Sequence, residues 1–140
     1  MGPQSANSFG NVHGGVIMKL VDEAGAVAAV KHARSPVVTA AVDNLAFLQP
    51  IPTNRYVMFH AELVNVGRTS IDVYIEVIAE NAVTGEQVLS ARAHMVYVAV
   101  DEHGQACPVP PLILQTDSQR ARAQMAQERR RFLRQQREQT

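Results

Sequence analysis

The residues best suited to chemistry lie in one short stretch, Gly10-Asn11-Val12-His13-Gly14-Gly15, followed seven residues later by Asp22-Glu23. Gly14 and Gly15 open an apolar run. Glycines there free the backbone and leave the first N–H groups of a helix pointing outward, at the positive end of its dipole. That arrangement suits an anion or a developing oxyanion. Asp22 falls two turns into the same run, where a carboxylate is costly unless it is paired or functional. Its neighbours on the helix stripe are Gly15, Met18, Lys19, Gly25 and Ala26. A glycine inside a helix costs about 1 kcal/mol relative to alanine, so the small residues imply that a ligand or another helix comes close. Two plainer readings stand beside these: an ordinary glycine-rich helix entry, and a solvent-facing Asp22-Glu23 pair partnered by Lys19. His13 is read chiefly as shaping the turn, with substrate contact as its second role.

The element that must carry Asp22 spans residues 14–33. Val16, Leu20, Val27 and Val30 mark an apolar stripe, widened by Ile17, Val21, Ala24 and Ala28. This predicts a mostly buried helix, roughly 30 Å long at 1.5 Å per residue. Lys31, His32 and Arg34 complement its C-terminal end, and Ser35-Pro36 stops it. From 37 to 100 the chain reads as β. Val37–Asn44 is a short strand, and Leu45–Asn54, with Pro50 and Pro52, a connector. Arg55–Val66 and Thr69–Val83 are long strands flanking a Gly67-Arg68 turn. Glu86–Val100 is the last strand, after Thr84-Gly85. Ile71, Val73, Ile75 and Val77 alternate with Asp72, Tyr74 and Glu76, which predicts an antiparallel strand with one buried face.

The expectation is an α+β domain over 1–115, a long helix followed by an antiparallel meander, and a helical tail over 116–140. One curved sheet wraps only part of so apolar a helix, which calls for a second sheet from another subunit. Formal net charge is zero but unevenly spread: residues 1–115 hold six Lys/Arg against ten Asp/Glu, and residues 116–140 seven Arg against three acids. The tail has strong helix formers and few apolar anchors, so it is expected to order only against the body or a partner. A single cysteine, Cys107, excludes an intrachain disulfide and fits a reducing compartment. The N-terminus shows no secretory signal, and no apolar run reaches the roughly 18 residues of a membrane span. The five histidines are scattered, with no metal-ligand spacing. A cytoplasmic protein without a metal is the expectation.

The run GNVHGGVIMKLVDEAGAVAA resembles the acyl-CoA thioesterase branch of the hotdog superfamily, the group that includes brain-type acyl-CoA hydrolase and its compact bacterial relatives. The resemblance continues through VDNLAFLQPI, VGRTSI, SARAHMVYVAVD and PVPPL, covering roughly residues 8–115 in order. It implies the hotdog fold, an antiparallel sheet wrapped around one long central helix, and hydrolysis of acyl-CoA thioesters. Coenzyme A is then part of the substrate, and no separate cofactor is called for. In tandem members of that family one repeat supplies a catalytic Asn before HGG and the other a catalytic Asp. This single repeat carries both, as Asn11 and Asp22, which implies a homodimer with sites shared between subunits. A trimer of dimers, a homohexamer, is the assembly the resemblance favours.

The chemistry of a thioester sets the roles. Asp22 is assigned as general base on water, with a nucleophilic role second, and the Asn11 amide holds water or the thioester carbonyl. Backbone N–H groups of Gly14 or Gly15 receive the oxyanion. The resemblance makes Arg68, Thr69 and Ser70 candidates beside the coenzyme A chain, against the plainer reading of a hairpin turn with a solvated Arg68, and Arg55 and Arg92 are weaker candidates. Phe47, Leu48 and Pro50 line the pantetheine tunnel or pack on a neighbouring subunit. The competing readings are a non-catalytic acyl-CoA-binding protein and a hotdog enoyl-CoA hydratase or dehydratase. The Asp/His motif of the latter is not found. A nucleic-acid or membrane-surface role for the Arg-rich tail is disfavoured, because Gln and Glu interleave with its arginines.

Overall fold

The computed structural model describes residues 10–112 and 117–138. Helix α1 spans Gly14–Ala33, followed by strands β1 (Val37–Phe47), β2 (Tyr56–Val66), β3 (Ser70–Glu80) and β4 (Gln87–Ala99), and helix α2 (Asp117–Glu138). Both ends of α1 are fixed locally. His13, in extended conformation, accepts the Gly15 N–H at its Nδ1. At the other end Arg34 turns left-handed, φ 57°, and returns its N–H to the Val30 carbonyl before Pro36 prevents continuation.

The strands form one antiparallel sheet in the order β1-β4-β3-β2. The meander expected from the sequence holds for β2-β3-β4. The first strand does not join it at β2 but crosses to the far edge and pairs with β4. β1 also runs three residues further than its turn-forming residues suggest. Asn44 does not end the strand; it adopts φ 51° inside an irregularity between Asp43 and Ala46, and the ladder resumes with Ala46 opposite Arg92 and Phe47 opposite Ala91. An asparagine tolerates this left-handed geometry, so a residue that reads as a stop serves as a bulge. Part of the stretch read as a connector, Leu45–Phe47, is therefore strand.

The core lies between α1 and the inner face of the sheet. Ile17, Val21 and Ala29 of α1 are buried, with Ile71, Val73, Ile75 and Val77 of β3 and Ala91, Ala93, Met95 and Tyr97 of β4. These residues follow the periods of 3.6 and 2 that one-sided burial requires. Alanines on β4 keep that strand's surface low where the helix crosses it. The opposite face is not simply solvated, as the alternation had suggested. Ala123 and Ala126 of α2 are buried, Gln127 donates to Asn65 Oδ1 at 3.1 Å, and Arg122 pairs with Glu62. Asp72 on that face is only 4% exposed and accepts from Asn65 Nδ2 at 3.4 Å. The tail thus orders against the body of its own chain.

Candidate active site

Asp22 is held from two sides. Thr39 on β1 donates its hydroxyl to Asp22 Oδ1 at 2.8 Å. Tyr97 on β4 shares its one hydroxyl proton between the Asp22 backbone carbonyl, at 2.9 Å, and the same Oδ1, at 3.2 Å. The two strands deliver these hydroxyls together because Thr39 and Tyr97 are direct partners in the β1–β4 ladder. Burial and the neighbouring Asp22 carboxylate push the Tyr97 phenol well above its ordinary value, so it is a donor throughout the physiological range. Asp22 Oδ2 accepts no hydrogen bond among the described residues. The solvated Asp22–Lys19 pairing does not form.

Gly25 accounts for the close approach that the small residues around Asp22 implied. The visitor is neither a ligand nor a second helix but Tyr97 of the same chain. A Cβ at position 25 would lie 2.3 Å from the Tyr97 hydroxyl oxygen and 3.0 Å from two ring carbons. The sequence signalled the vacancy without naming its occupant. Thr39 and Tyr97 were missed as site residues, since each reads as an ordinary member of an alternating strand.

At the helix entry the first-turn donors are largely committed. Gly15 N–H goes to His13 Nδ1 at 3.0 Å, and the Val16 and Ile17 N–H groups go to the His13 carbonyl at 3.0 and 3.3 Å. Gly15 is therefore not an open oxyanion donor, a correction to its expected role. His13 itself serves as the cap, and its accepting Nδ1 places the ring proton on Nε2. Gly14 N–H is the first-turn donor left without a partner among the described residues. Asn11 forms a bridge with Pro52 on the same side.

A groove of about 400 Å³ runs beside this entry, lined by Asn11, Val12, Gly14, Ile17 and residues Phe47 to Ile51. It brings together Asn11, Gly14, Phe47, Leu48 and Pro50. It does not include Asp22, which lies eight residues beyond Gly14, about 12 Å along the helix axis. One chain therefore presents two half-sites. The Arg68-Thr69-Ser70 turn lies at the Asp22 end: Ser70 and Val38 both flank Val98, one row from the Thr39–Tyr97 pair. Arg68 is exposed, while the Thr69 carbonyl accepts the Ala99 N–H and Arg68 the Val109 N–H. Arg55 stands apart near the far end of β2, donating to Asn54 Oδ1 at 2.7 Å.

Arg92 lies on the outer face, away from Asp22. It lines a cavity of about 650 Å³ with Tyr74, His94, Arg122, Met125, Arg129 and the β1 bulge. There the Tyr74 and His94 rings meet at 4.9 Å between centroids, and Arg122 stacks 5.4 Å from the Tyr74 ring. Burial first, then Arg129 and Arg92, hold the His94 pKa down to about 4, and its Nδ1 is buried without a partner among the described residues. No group of three or more metal-ligating side chains occurs among the described residues, and none of the described helices is long and apolar enough to cross a membrane.

The arrangement has clear relatives. A family model described as the thioesterase superfamily matches residues 9–86. A Bacillus subtilis protein named as an uncharacterized acyl-CoA thioester hydrolase is 32% identical over 117 residues, 84% of this chain and 68% of its own. Among solved structures, an apo-hexameric acyl-CoA thioesterase superposes with a TM-score of 0.93 at 32% identity, covering 97% of this chain and 87% of the other. A Staphylococcus aureus acyl-CoA hydrolase, in complex with butyryl coenzyme A, coenzyme A and coenzyme A disulfide, superposes with a TM-score of 0.88 at 30% identity over 98% of this chain and 85% of its own.

Proposed function

The chain belongs to the thioesterase superfamily, and from that footing we propose that it hydrolyses acyl-CoA thioesters to a free carboxylic acid and coenzyme A. The observation that carries this reading is the fixed carboxylate of Asp22, with Thr39 and Tyr97 on one oxygen and the other left open. Solved variants of the Staphylococcus aureus hydrolase replace an asparagine, an aspartate or a threonine by alanine. The aspartate follows the asparagine by fifteen residues and precedes the threonine by seventeen. Counted from Asp22, the same spacings fall on Asn7 and Thr39.

Asp22 acts as the general base. It takes a proton from a water whose oxygen attacks the thioester carbonyl, and the tetrahedral oxyanion collapses by expelling the coenzyme A thiolate. Thiolate is a good leaving group, so a positioned water and an oxyanion donor are sufficient machinery. Gly14 N–H, at the positive end of α1, is the donor proposed for the oxyanion. An asparagine amide orients the water or the carbonyl. Two candidates hold that role: Asn11, beside Gly14 at the groove, and Asn7, outside the described residues, which the spacing in the Staphylococcus aureus hydrolase favours.

The separation of Gly14 and Asp22 along α1 supports a site completed by a second subunit. In the two-fold dimer proposed here, the helix entry of one protomer meets the middle of the helix of the other, and the symmetry repeats that contact to give two equivalent sites. The apolar side chains left uncovered agree with this: Val27 and Val30 of α1 and Val38 of β1 are 55%, 40% and 50% exposed in the single chain. Burying them contributes about 25 cal/mol per Å². The hexameric relative supports a homo-oligomer, with a trimer of dimers as the proposed arrangement. Arg68, Thr69 and Ser70, at the Asp22 end of the sheet, are proposed to meet the coenzyme A chain, and Phe47 and Leu48 to line the pantetheine groove. Arg55 and Arg92 lie away from both half-sites in this chain.

The test is thiol release from a series of acyl-CoA chain lengths under excess substrate. Repeated turnover supports the hydrolase. Saturable binding of acyl-CoA without thiol release leaves the non-catalytic binding protein, and loss of enoyl absorbance without thiol release leaves the hydratase.

A further inference from the structure

Tyr97 is placed unlike the other aromatic residues among those described. It is wholly buried on the inner face of β4, yet its hydroxyl reaches the middle of α1 rather than packing among aliphatic side chains. Its way in is the gap at Gly25, where any Cβ would collide with the hydroxyl. A glycine at that helical position sacrifices roughly 1 kcal/mol of helix propensity relative to alanine. Phenylalanine at 97 would fill the same core volume without a polar atom to satisfy. The Asp22 backbone carbonyl, one of the two groups the hydroxyl meets, lies within a continuous helix and has its own partner one turn on. The carbonyl takes the hydroxyl on its second lone pair, and the same hydroxyl also reaches the carboxylate at 3.2 Å.

We infer that Tyr97 is a positioning residue that, with Thr39, saturates Asp22 Oδ1 and so makes Oδ2 the oxygen that takes the proton from water. Both hydroxyls converge on Oδ1, at 2.8 and 3.2 Å, and none of the described residues donates to Oδ2. Two donors on one oxygen fix the carboxylate against rotation about its last bond. They come from adjacent, mutually paired strands, so their separation is set by the sheet and not by a flexible side chain. The proton from water passes to Oδ2, and the electron pair left on the water oxygen forms the new bond to the thioester carbon. Tyr97 itself gains and loses nothing.

This inference rests on the reading of Asp22 as the base, and the test separates the two. Steady-state thiol release by the full-length protein is compared for wild type, Asp22→Ala, Tyr97→Phe, Gly25→Ala and the Gly25→Ala/Tyr97→Phe double variant, with thermal unfolding followed in parallel. Tyr97→Phe should lower kcat about 10- to 100-fold, the weight of one hydrogen bond to a charged group, and leave KM within about twofold. A purely structural tyrosine would instead lower the unfolding temperature and spare kcat. Gly25→Ala displaces the hydroxyl and should lower kcat likewise, and its added effect on kcat should be smaller once Tyr97 is phenylalanine, where only the ring carbons 3.0 Å away still crowd the new Cβ. If Asp22→Ala is inactive while Tyr97→Phe keeps wild-type kcat, the positioning role is overturned and the base stands. Fully multiplicative losses of kcat in the double variant would overturn the pairing of Gly25 with the hydroxyl. Turnover retained by Asp22→Ala would remove the base itself, and the positioning role with it.

Discussion

Thr39 and Asp22, seventeen residues apart in the chain, meet across 2.8 Å with the threonine hydroxyl donating to Oδ1. The contact joins the edge strand β1 to the middle of α1, and it is the shortest hydrogen bond the carboxylate makes. Thr39→Ala should therefore lower kcat for acyl-CoA hydrolysis by about 10-fold or more, while Thr39→Ser, which keeps the hydroxyl, should recover most of it. Thiol-release kinetics on the two variants check this. Equal losses in both would show that the methyl group, not the hydroxyl, matters at this position.

His13 holds the entry of α1 by accepting the Gly15 N–H. Its replacement by alanine should destabilise the protein by about 1 kcal/mol, the usual weight of a helix N-cap. His13→Asn, which restores a capping acceptor, should recover much of that loss. Thermal unfolding of the two variants measures it. The same variants tell capping from substrate contact, because a capping role lowers stability in His13→Ala, regains most of it in His13→Asn, and leaves KM unchanged in both.

Much of this architecture is legible in the sequence, and the exceptions share a cause. The bounds of α1 follow from signals within a few residues of each end: the glycines after His13, and Pro36 after Arg34. The alternation in β3 predicts its inner face from Ile71 to Val77. What the sequence does not disclose is non-local. That β1 pairs with β4 and not with β2 depends on packing across the whole sheet. The strand's passage through Asn44 depends on a bulge that its partner strand stabilises. Thr39 and Tyr97 belong to the site only because their strands are neighbours beside α1, and nothing near them in sequence says so. Gly25 is the one local trace of that arrangement, a gap whose occupant the fold alone identifies. The roles proposed for Asp22 and its asparagine partner come from the resemblance and from thioester chemistry, not from any local pattern.

His94 gives the fold a pH response on the face away from Asp22. Burial, with Arg129 and Arg92 behind it, lowers its pKa to about 4 from the ordinary 6.5. Between those values the unfolded chain binds a proton there that the folded chain refuses. This contribution to stability is complete above about pH 6.5 and is lost as the pH falls toward 4. His94→Phe should show a shallower decline in unfolding temperature across that window than wild type. Parallel declines would contradict the assignment.

Helix α2 packs on the outer face of the sheet through Ala123 and Ala126, opposite α1. Removing residues 116–140 should lower the unfolding temperature by several degrees, because Asp72 and the outer faces of β2 and β3 lose their cover. The turnover number for acyl-CoA should stay within about threefold of wild type, since no described contact links α2 to Asp22. A loss of kcat comparable to that of Asp22→Ala would place the tail in the catalytic assembly.

The central claim is a thioesterase site built from Asp22 of one subunit and an asparagine of another. The most direct measurement is thiol release from acyl-CoA by Asp22→Ala, by Asn7→Ala and Asn11→Ala, and by mixtures of the aspartate variant with each asparagine variant after subunit exchange. The account predicts that Asp22→Ala is inactive, that one of the asparagine variants is inactive, and that mixing those two restores part of the activity, because each mixed dimer regains one intact site. Activity in Asp22→Ala, or inactive variants that stay inactive after proven exchange, would contradict it.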